Sequence, residues 1–443
     1  MEKKNYYKRL LLIAVPIMLS NIISQLQMII DKIFLGRLDI TCMSAVGNAT
    51  SSMWTTMNTM FSLTVGATIL ISQAIGEGDD KKAQNITNSL FLYNNFLAIF
   101  WFVFWLFGSR FVFTLMGVSE NIMGMTVDYA VYYAPVFLLC GLGASVSSVL
   151  QACEKTKIMV LYGVVRSGLN IVLDYALIFG HFGMPRMEVK GAALATTIAE
   201  YVGDVVILVY FIAAKDIPLK PKLKDVFVAK VRYYIDSIKL GIPTCLEDFA
   251  WNFGNLFLIA MLNQVSDSAA GIYSIVFSVE CIPVVVFGAL GNATLTLSGQ
   301  ETGKKEYSQI KSIVRNSMVM CISVAAFILV MFICFPQTIL SWFTSDESVI
   351  VASAVYLLIM GCNLFPKSAN IIVGSGIRGY GDTKWMLLTQ VFGTCFVVIA
   401  SATLIMGLHL GMIAVFFVII SDETIRCAIN YIKLRHVTAR VTE

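Results

Sequence analysis

The stretch that decides the fold is residues 159–181, M-V-L-Y-G-V-V-R-S-G-L-N-I-V-L-D-Y-A-L-I-F-G-H. It is long and apolar enough to cross the hydrocarbon core of a bilayer as one α-helix. Arg166, Asn170 and Asp174 are spaced four apart, which places all three on one face of that helix. Because an aspartate is costly in hydrocarbon, it must face protein or water, and such residues commonly mark functional sites.

The rest of the chain has the same apolar character. Its 443 residues are 57% hydrophobic and only 14% charged, whereas a soluble domain of this size needs a far more charged surface. Twelve apolar stretches are long enough to span a membrane and too long for β-strands. Their predicted limits are 10–36, 44–70, 89–113, 126–150, 159–181, 190–213, 238–262, 270–297, 314–340, 350–376, 385–408 and 410–432. We therefore predict an all-α polytopic membrane protein with 12 transmembrane helices.

The positions of the basic residues predict the orientation. With a cytoplasmic N-terminus, the outer connections carry only Arg37, Arg110, Arg186 and Lys190, whereas the inner connections and tails carry most of the 32 Lys and Arg. Basic residues concentrate on the cytoplasmic side of membrane proteins. We therefore predict a multi-pass protein of the cell membrane with both termini in the cytoplasm.

The two halves of the chain repeat each other. Three pairs of matching residues are each separated by 227 positions: Pro16 and Pro243, Gln73 and Gln300, and Thr156 and Thr383. A constant offset requires equal helix and loop lengths throughout, and such repeats are typical of secondary transporters. We predict two pseudo-symmetric six-helix bundles, at 1–213 and 238–443, joined by a basic cytoplasmic linker at 214–237.

Several other classes of protein are disfavoured by composition. The ten cysteines are scattered without a C-x-x-C pair, so we interpret them as small core residues. The three histidines form no H-E-x-x-H motif, which disfavours a zinc or haem site and hence a metalloenzyme. We predict that the chain is not an enzyme, and that it is a monomer without a nucleic-acid partner.

Two aspartates lie at similar depths in the first bundle. Asp31 and Asp174 are each expected about 8–10 Å below the outer surface, so they are able to share one cavity. Two carboxylates in a low dielectric do not both ionise cheaply. Such a pair either takes up a proton or holds Na⁺ with the carbonyl oxygen of Asn170. The alternatives are structural pairs, of Asp31 with Lys32 or Arg37, or of Asp174 with Arg166 or a neighbouring helix.

The seventh span offers a second type of site. Asp248 and Asn252 lie on one stripe of the helix, flanked by Glu247 and Trp251. A carboxylate beside an aromatic ring suits a lipophilic cation, although packing against another helix remains an equal alternative. The residues predicted to bind substrate are Gln27, Asp31, Asp174, Glu247, Asp248, Trp251 and Asn252.

A few other charged residues fall within spans. Glu200 and Asp204 are a pair spaced four apart in the sixth span and are secondary candidates. Glu280 and Lys367 are placed to form an ion pair within the second bundle. Arg166 lies about 12 Å along the helix from Asp174, so it is expected to reach Asn170 more readily.

Five segments carry a resemblance to a known family over about residues 8–435. They are P-I-M-L-S-N-I-I-S-Q-L-Q-M-I-I-D-K-I-F-L-G-R-L (16–38), N-I-V-L-D-Y-A-L-I-F-G (170–180), V-K-G-A-A-L-A-T (189–196), G-I-P-T-C-L-E (241–247) and R-G-Y-G-D-T-K (378–384). Together they resemble the multidrug and toxic compound extrusion (MATE) family, prokaryotic type. The chain departs from the family's sequence pattern in two places. The loop Q-A-C-E-K-T-K (151–157) is altered, and the acids of the seventh span precede Trp251.

The resemblance implies an antiporter that exports drug-like organic cations in exchange for H⁺ or Na⁺, through a central cleft that opens to alternate sides. It implies an ion site at Asp31, Asn170 and Asp174, joined by Thr196 or Thr197, with the first three as ligands if the ion is Na⁺. It implies no cofactor beyond this coupling ion. The alternative is a flippase for a lipid-linked saccharide or another amphipathic lipid, which the surplus of acids within the spans disfavours.

Overall fold

The computed structural model describes residues 6–266 and 268–439, in which every regular element is helical. The helices are α1 (Tyr6–Gly36), α2 (Ile40–Glu77), α3 (Asp80–Leu115), α4 (Glu120–Tyr133), α5 (Val136–Ala152), α6 (Ile158–Phe179), α7 (Glu188–Ala213), α8 (Leu223–Phe227), α9 (Val231–Leu262), α10 (Ala269–Gly303), α11 (Tyr307–Cys334), α12 (Pro336–Leu340), α13 (Glu347–Tyr380), α14 (Thr383–Ala402) and α15 (Ile413–Ala439). A π-helical stretch, Thr403–Gly407, continues α14. These elements form twelve spans in two six-helix bundles, which confirms the predicted fold class.

The spans differ in how apolar they are. Among the described residues, nine helices are long and apolar enough to cross a membrane, and α4 with α5 forms a further span bent by 47°. Pro135 stands at that bend, where its ring removes a backbone donor. The other two spans, α9 and α15, are more polar because they carry Glu247 and Asp248, and Asp422 and Glu423.

The sequence repeat is present in the backbone. Gly78 and Lys305 end equivalent helices with φ of 73° and 62°, and they are 227 positions apart. Glu154 and Gly381 form a second such pair, with φ of 60° and 105°. This left-handed conformation favours glycine, yet each half uses a charged residue at one of the two positions. The loop at 151–157 therefore keeps its shape although its sequence has diverged.

The helices are longer than the apolar stretches that predicted them. α2 continues from residue 70, its predicted end, to Glu77, and α9 begins at Val231 instead of residue 238. The Asp79 carboxylate accepts a hydrogen bond from the Lys82 backbone N–H at 2.9 Å and so caps α3 nine residues before its predicted start. Capping of this kind stabilises helix turns that hydropathy does not detect.

The cysteine prediction is only partly right. All ten are free thiols, and Cys42, Cys140 and Cys321 are buried as expected of core residues. The exposed ones are Cys281, Cys334, Cys362 and Cys395. Because a span that faces lipid carries apolar side chains outward, hydropathy does not separate these cysteines from core positions.

The backbone divides into two compact units. The N-terminal unit comprises residues 15–75 and 79–241, and the C-terminal unit comprises 76–78 and 242–443 together with the described part of 1–14. In the C-terminal unit, α10 packs most extensively on α13, and in the N-terminal unit α6 packs most extensively on α7. Both of these helix pairs carry buried acids.

The predicted linker, 214–237, is part of the N-terminal unit. Gln84 donates a hydrogen bond from Nε2 to the Lys220 carbonyl oxygen at 3.1 Å, and the Tyr93 hydroxyl donates to the Ala229 carbonyl oxygen at 3.2 Å. Lys155 Nζ lies 2.5 Å from the Asp216 carboxylate. The segment is therefore held by α3 and by the loop after α5, and its last residues already belong to α9.

We predict that Gly66→Ala lowers the thermal stability of the detergent-solubilised protein. A Cβ at Gly66 would lie 1.9 Å from the Ser237 carbonyl oxygen, so α2 and α9 would have to separate. Overpacking of this kind costs about 1–3 kcal/mol. Gly47→Ala in the same helix is the matched control, because nothing lies within 4 Å of its Cβ position. Equal melting temperatures for the two variants would contradict the close approach.

Candidate functional site

Asn170 lies between the two aspartates of the N-terminal unit. One end of its side-chain amide lies 3.0 Å from Asp31 Oδ1 and 3.3 Å from Asp174 Oδ2. The two carboxyl groups therefore face the same amide. Asn170 and Asp174 are 0% and 1% exposed, whereas Asp31 is half-buried, so solvent does little to screen the charge of Asp174. The structure therefore brings together the three residues that share the predicted ion site.

The Asn170 amide has partners in both of its orientations. With its nitrogen toward the acids, it donates to both carboxylates, and its oxygen accepts from Thr196 Oγ1 at 3.2 Å. With its oxygen toward the acids, that oxygen accepts from Gln27 Nε2 at 2.7 Å, and its nitrogen donates to Thr196. The first orientation suits two carboxylates that need donors. The second adds a third oxygen beside them, which suits a bound cation.

Further polar side chains surround this group. Gln27 is buried, donates to Asp31 Oδ2 at 3.4 Å and accepts from Ser167 Oγ at 2.8 Å. The Tyr129 hydroxyl, from α4, lies near the Thr196 side chain. Sequence reasoning missed Ser167 and Tyr129. Ser167 lies in the quoted stretch beside Arg166, but nothing in the sequence distinguished Tyr129 from other tyrosines.

Arg166 does not reach Asn170 as we expected. Its Nη1 lies 2.7 Å from Glu200 Oε1 on α7, and its Nη2 donates to Ser24 Oγ on α1. The Tyr162 hydroxyl donates to the other oxygen of Glu200 at 3.2 Å. The prediction failed because Arg166 points toward α7, and helical periodicity does not show which neighbouring helix supplies a partner.

In the C-terminal unit, buried acids pair with buried bases. Lys367 Nζ lies 3.0 Å from Glu280 Oε1, which confirms the predicted pair. Glu247 accepts a hydrogen bond from Arg378 Nη2. Arg426 contacts two acids on its own helix, with Nη2 2.8 Å from Asp422 Oδ2 and 3.1 Å from Glu423 Oε1. This unit thus neutralises its charges mainly by ion pairing, unlike the Asp31–Asp174 pair.

A cavity of about 260 Å³ lies among these ion pairs. Its lining includes Glu247, Asp248, Trp251, Phe277 and Glu280. The Trp251 and Phe277 rings are stacked with centroids 5.6 Å apart. Glu247 Oε1 and Glu280 Oε2 are buried and have no hydrogen-bond partner among the described residues. The cavity therefore combines an aromatic wall with carboxylate oxygens that are able to accept a ligand's charge.

The predicted substrate residues fall into two groups. Glu247, Asp248 and Trp251 line the cavity of the C-terminal unit. Asn252 is not part of its lining, and its amide instead donates to the Asp248 carbonyl oxygen of its own helix at 2.7 Å. Gln27, Asp31 and Asp174 belong to the N-terminal unit. A single helical stripe predicted Asn252 beside Asp248, but the helix face that lines the cavity carries Glu247, Asp248 and Trp251.

The ligand atoms of the N-terminal unit limit the kind of ion that this unit can hold. Within residues 6–266 and 268–439, no three His, Cys, Asp or Glu residues cluster as metal ligands. Asp31, Asp174, Asn170 and Thr196 supply only carboxylate, amide and hydroxyl oxygens. Oxygen sets of this type suit hard cations and protons, whereas transition metals prefer imidazole and thiolate.

The sequence model of the MatE family matches this chain twice, at residues 16–176 and 243–404. The two matches begin 227 positions apart, which is the offset of the internal repeat. Together they cover well over half of the chain. The family match and the repeat therefore describe the same two bundles.

Relatives and solved structures agree with this match. The chain is 27% identical over 420 residues to the probable multidrug resistance protein NorM of Thermotoga maritima, with 92% of this chain and 89% of NorM covered. It is 23% identical to the probable multidrug resistance protein YoeA of Bacillus subtilis, with 88% and 85% covered. An outward-facing structure of a multidrug resistance MATE family transporter superposes with a TM-score of 0.91 at 17% identity, with 99% and 97% covered.

We predict that Lys367→Met destabilises the protein more than the double variant Glu280→Gln/Lys367→Met does. The single change leaves a buried carboxylate without its cation, which typically costs about 3–5 kcal/mol, whereas replacing both partners is often close to neutral. Thermal unfolding in detergent measures the difference. Lys155→Met is the control, because it breaks an exposed ion pair with Asp216. A single variant as stable as the wild type would contradict the pairing.

Proposed function

Because the chain belongs to the MatE family of membrane transporters, we propose that it exports lipophilic, often cationic drugs and toxic compounds in exchange for H⁺ or Na⁺. The names of the relatives NorM and YoeA, both probable multidrug resistance proteins, support the substrate class. The observation that carries the coupling is the contact of one Asn170 amide with both Asp31 and Asp174.

The Asp31–Asp174 pair responds to a cation for an electrostatic reason. Two carboxylates against one amide repel each other when both are ionised, and burial strengthens that repulsion. A proton shared between them removes one charge, and a bound Na⁺ offsets both. Loss of the cation therefore leaves an unfavourable state, which a change of conformation or a cationic substrate relieves.

The same residues serve either coupling ion. For H⁺, Asp31 and Asp174 share the proton and the Asn170 nitrogen donates to the remaining oxygens. For Na⁺, the carboxylates of Asp31 and Asp174 are ligands, with the Asn170 oxygen turned toward them and Thr196 adjacent. No further cofactor enters this scheme.

The cavity of the C-terminal unit is the proposed contact surface for the drug. An organic cation gains from stacking on Trp251 and Phe277 and from the unpartnered oxygens of Glu247 and Glu280. The cavity is able to accept a cation without breaking its ion pairs, because each of these carboxylates uses only one oxygen for its basic partner.

Transport requires the sites to face each side of the membrane in turn, so we propose alternating access. The concentration of basic residues in alternate connections supports a location in the cell membrane with both termini cytoplasmic. The proposed functional unit is one chain, because each proposed site is built within one unit of the fold. A lipid flippase remains the alternative, but no described side-chain arrangement favours it.

We predict that Asp31→Asn and Asp174→Asn each abolish ion-driven ethidium efflux from proteoliposomes. Both changes keep the shape of the side chain and remove the group that exchanges a cation. Efflux is measured under an imposed pH gradient and, separately, under a Na⁺ gradient. In each case the rate should fall close to that of protein-free vesicles.

The matched control is Asp128→Asn in α4. Asp128 is a half-exposed acid whose carboxylate lies 3.1 Å from Lys190 Nζ, and it lies outside the proposed ion site. This variant should pump at nearly the wild-type rate. Wild-type efflux by both Asp31→Asn and Asp174→Asn would rule out the proposed ion site.

We predict that Trp251→Ala weakens ethidium binding about two- to thirtyfold, which corresponds to the loss of one cation–π contact. Binding is measured by fluorescence titration of the purified protein. Trp342→Ala is the control, because Trp342 belongs to the same unit but is 74% exposed and does not line the cavity. Equal affinities of the two variants would exclude the cavity as the drug site.

A further inference from the structure

A second pair of carboxylates lies in the N-terminal unit, nearer the predicted cytoplasmic side than Asp31 and Asp174. Glu200 and Asp204 are one turn apart on α7 and are 7% and 6% exposed. Both oxygens of Glu200 are occupied, one by Arg166 and the other by Tyr162. The ion site around Asn170 uses neither acid, so their retention inside a span requires another explanation.

Unlike Glu200, Asp204 accepts no hydrogen bond from a described residue, although α5 closes over it. A Cβ at Gly143 would lie 2.2 Å from Asp204 Oδ1, so only glycine leaves room for the carboxylate there. The charged or titratable groups near it are Glu200, Arg166, Cys140, Tyr162 and Tyr201.

An ionised carboxylate in this position is expensive because the residue is only 6% exposed and no described donor stabilises its charge. Binding a cation removes that cost. A Na⁺ ion requires several oxygen ligands, whereas Asp204 faces the glycine backbone of α5 and no other carboxylate closer than its neighbour Glu200. Since Arg166 already neutralises Glu200, Asp204 is the acid left to take up a proton.

Polar groups connect this acid with the Asp31–Asp174 pair. Asp204 lies two turns beyond Thr196 on α7, about 12 Å along the axis. Ser167 and Gln27 extend from Asp31 in that direction. One turn further along α1, Ser24 accepts a hydrogen bond from Arg166, which pairs with Glu200. The line of polar side chains has two gaps among the described residues: one helical turn between Gln27 and Ser24, and the turn of α7 between Glu200 and Asp204.

We propose that Asp204 is a second proton-binding carboxylate, through which protons leave the Asp31–Asp174 pair toward the cytoplasm. A proton released by that pair adds to the Asp204 carboxylate, and the resulting carboxylic acid then releases it to cytoplasmic water. Arg166 and Glu200 keep a fixed ion pair beside this route. The inference rests on the proposed function and on the predicted membrane topology, in which α7 runs from the outer to the inner side of the membrane.

The test is Asp204→Asn in proteoliposomes. Ethidium efflux driven by a pH gradient should fall about tenfold to a hundredfold, as expected when a positioned proton-transfer group is removed. Ethidium binding to the purified variant should stay at the wild-type level. The remaining efflux should lose its dependence on the pH at the cytoplasmic face, a readout that a purely structural defect would not change.

Two further variants keep the test decisive if Asp204→Asn folds poorly. Gly143→Ala displaces the carboxylate without removing it and should slow pH-driven efflux in the same direction. Asp128→Asn, an acid of another helix outside this route, should leave both efflux and its pH dependence unchanged.

Wild-type efflux with an unchanged pH profile in Asp204→Asn and Gly143→Ala would overturn the proposal. Efflux that responds to Na⁺ gradients alone would also overturn it, while leaving cation exchange at Asp31 and Asp174 intact. Failure of the proposed function is recognised separately, by normal pumping in Asp174→Asn.

Discussion

The structure depends on one constraint: a carboxylate inside a membrane-spanning helix must acquire a partner or a proton. The two units satisfy it in different ways. In the C-terminal unit each of the acids Glu247 and Glu280 meets a base from another helix. In the N-terminal unit Asp31 and Asp174 meet each other across Asn170 without a base between them. We propose that a bound cation balances this second arrangement, so that it can change during transport whereas the ion pairs remain.

The internal repeat makes this contrast informative. The halves share the 227-residue offset and the left-handed residues that end equivalent helices, so their backbones offer equivalent positions. Yet the repeat places Leu258 opposite Asp31 and Ser401 opposite Asp174. Ser401 is buried and uncharged, and its hydroxyl has no hydrogen-bond partner among the described residues. The same backbone arrangement therefore carries different side chains at equivalent positions in the two halves. The proposed ion site exists in only one of them.

Much of this could be predicted from the sequence, because the relevant signals lie along single helices. Apolar length predicted the twelve spans, the constant offset predicted the repeat, and equal depth predicted that Asp31 and Asp174 would meet. Partners across helices were harder to predict. Glu280 and Lys367 were paired correctly, but Arg166 pairs with Glu200 instead of approaching Asn170. Which side of a helix faces which neighbour depends on packing, and here on glycines such as Gly143 whose role appears only in three dimensions.

The central claim is that movement of drug and of a cation are linked through the Asp31–Asp174 pair. Such linkage is reciprocal, so a drug gradient must be able to drive the ion. The most direct measurement imposes an ethidium gradient across proteoliposomes and follows internal pH and Na⁺ with no ion gradient present. We expect one of the two cations to move opposite to ethidium in the wild type, and neither to move in Asp174→Asn. Ethidium transport by the wild type without movement of either cation would contradict the account.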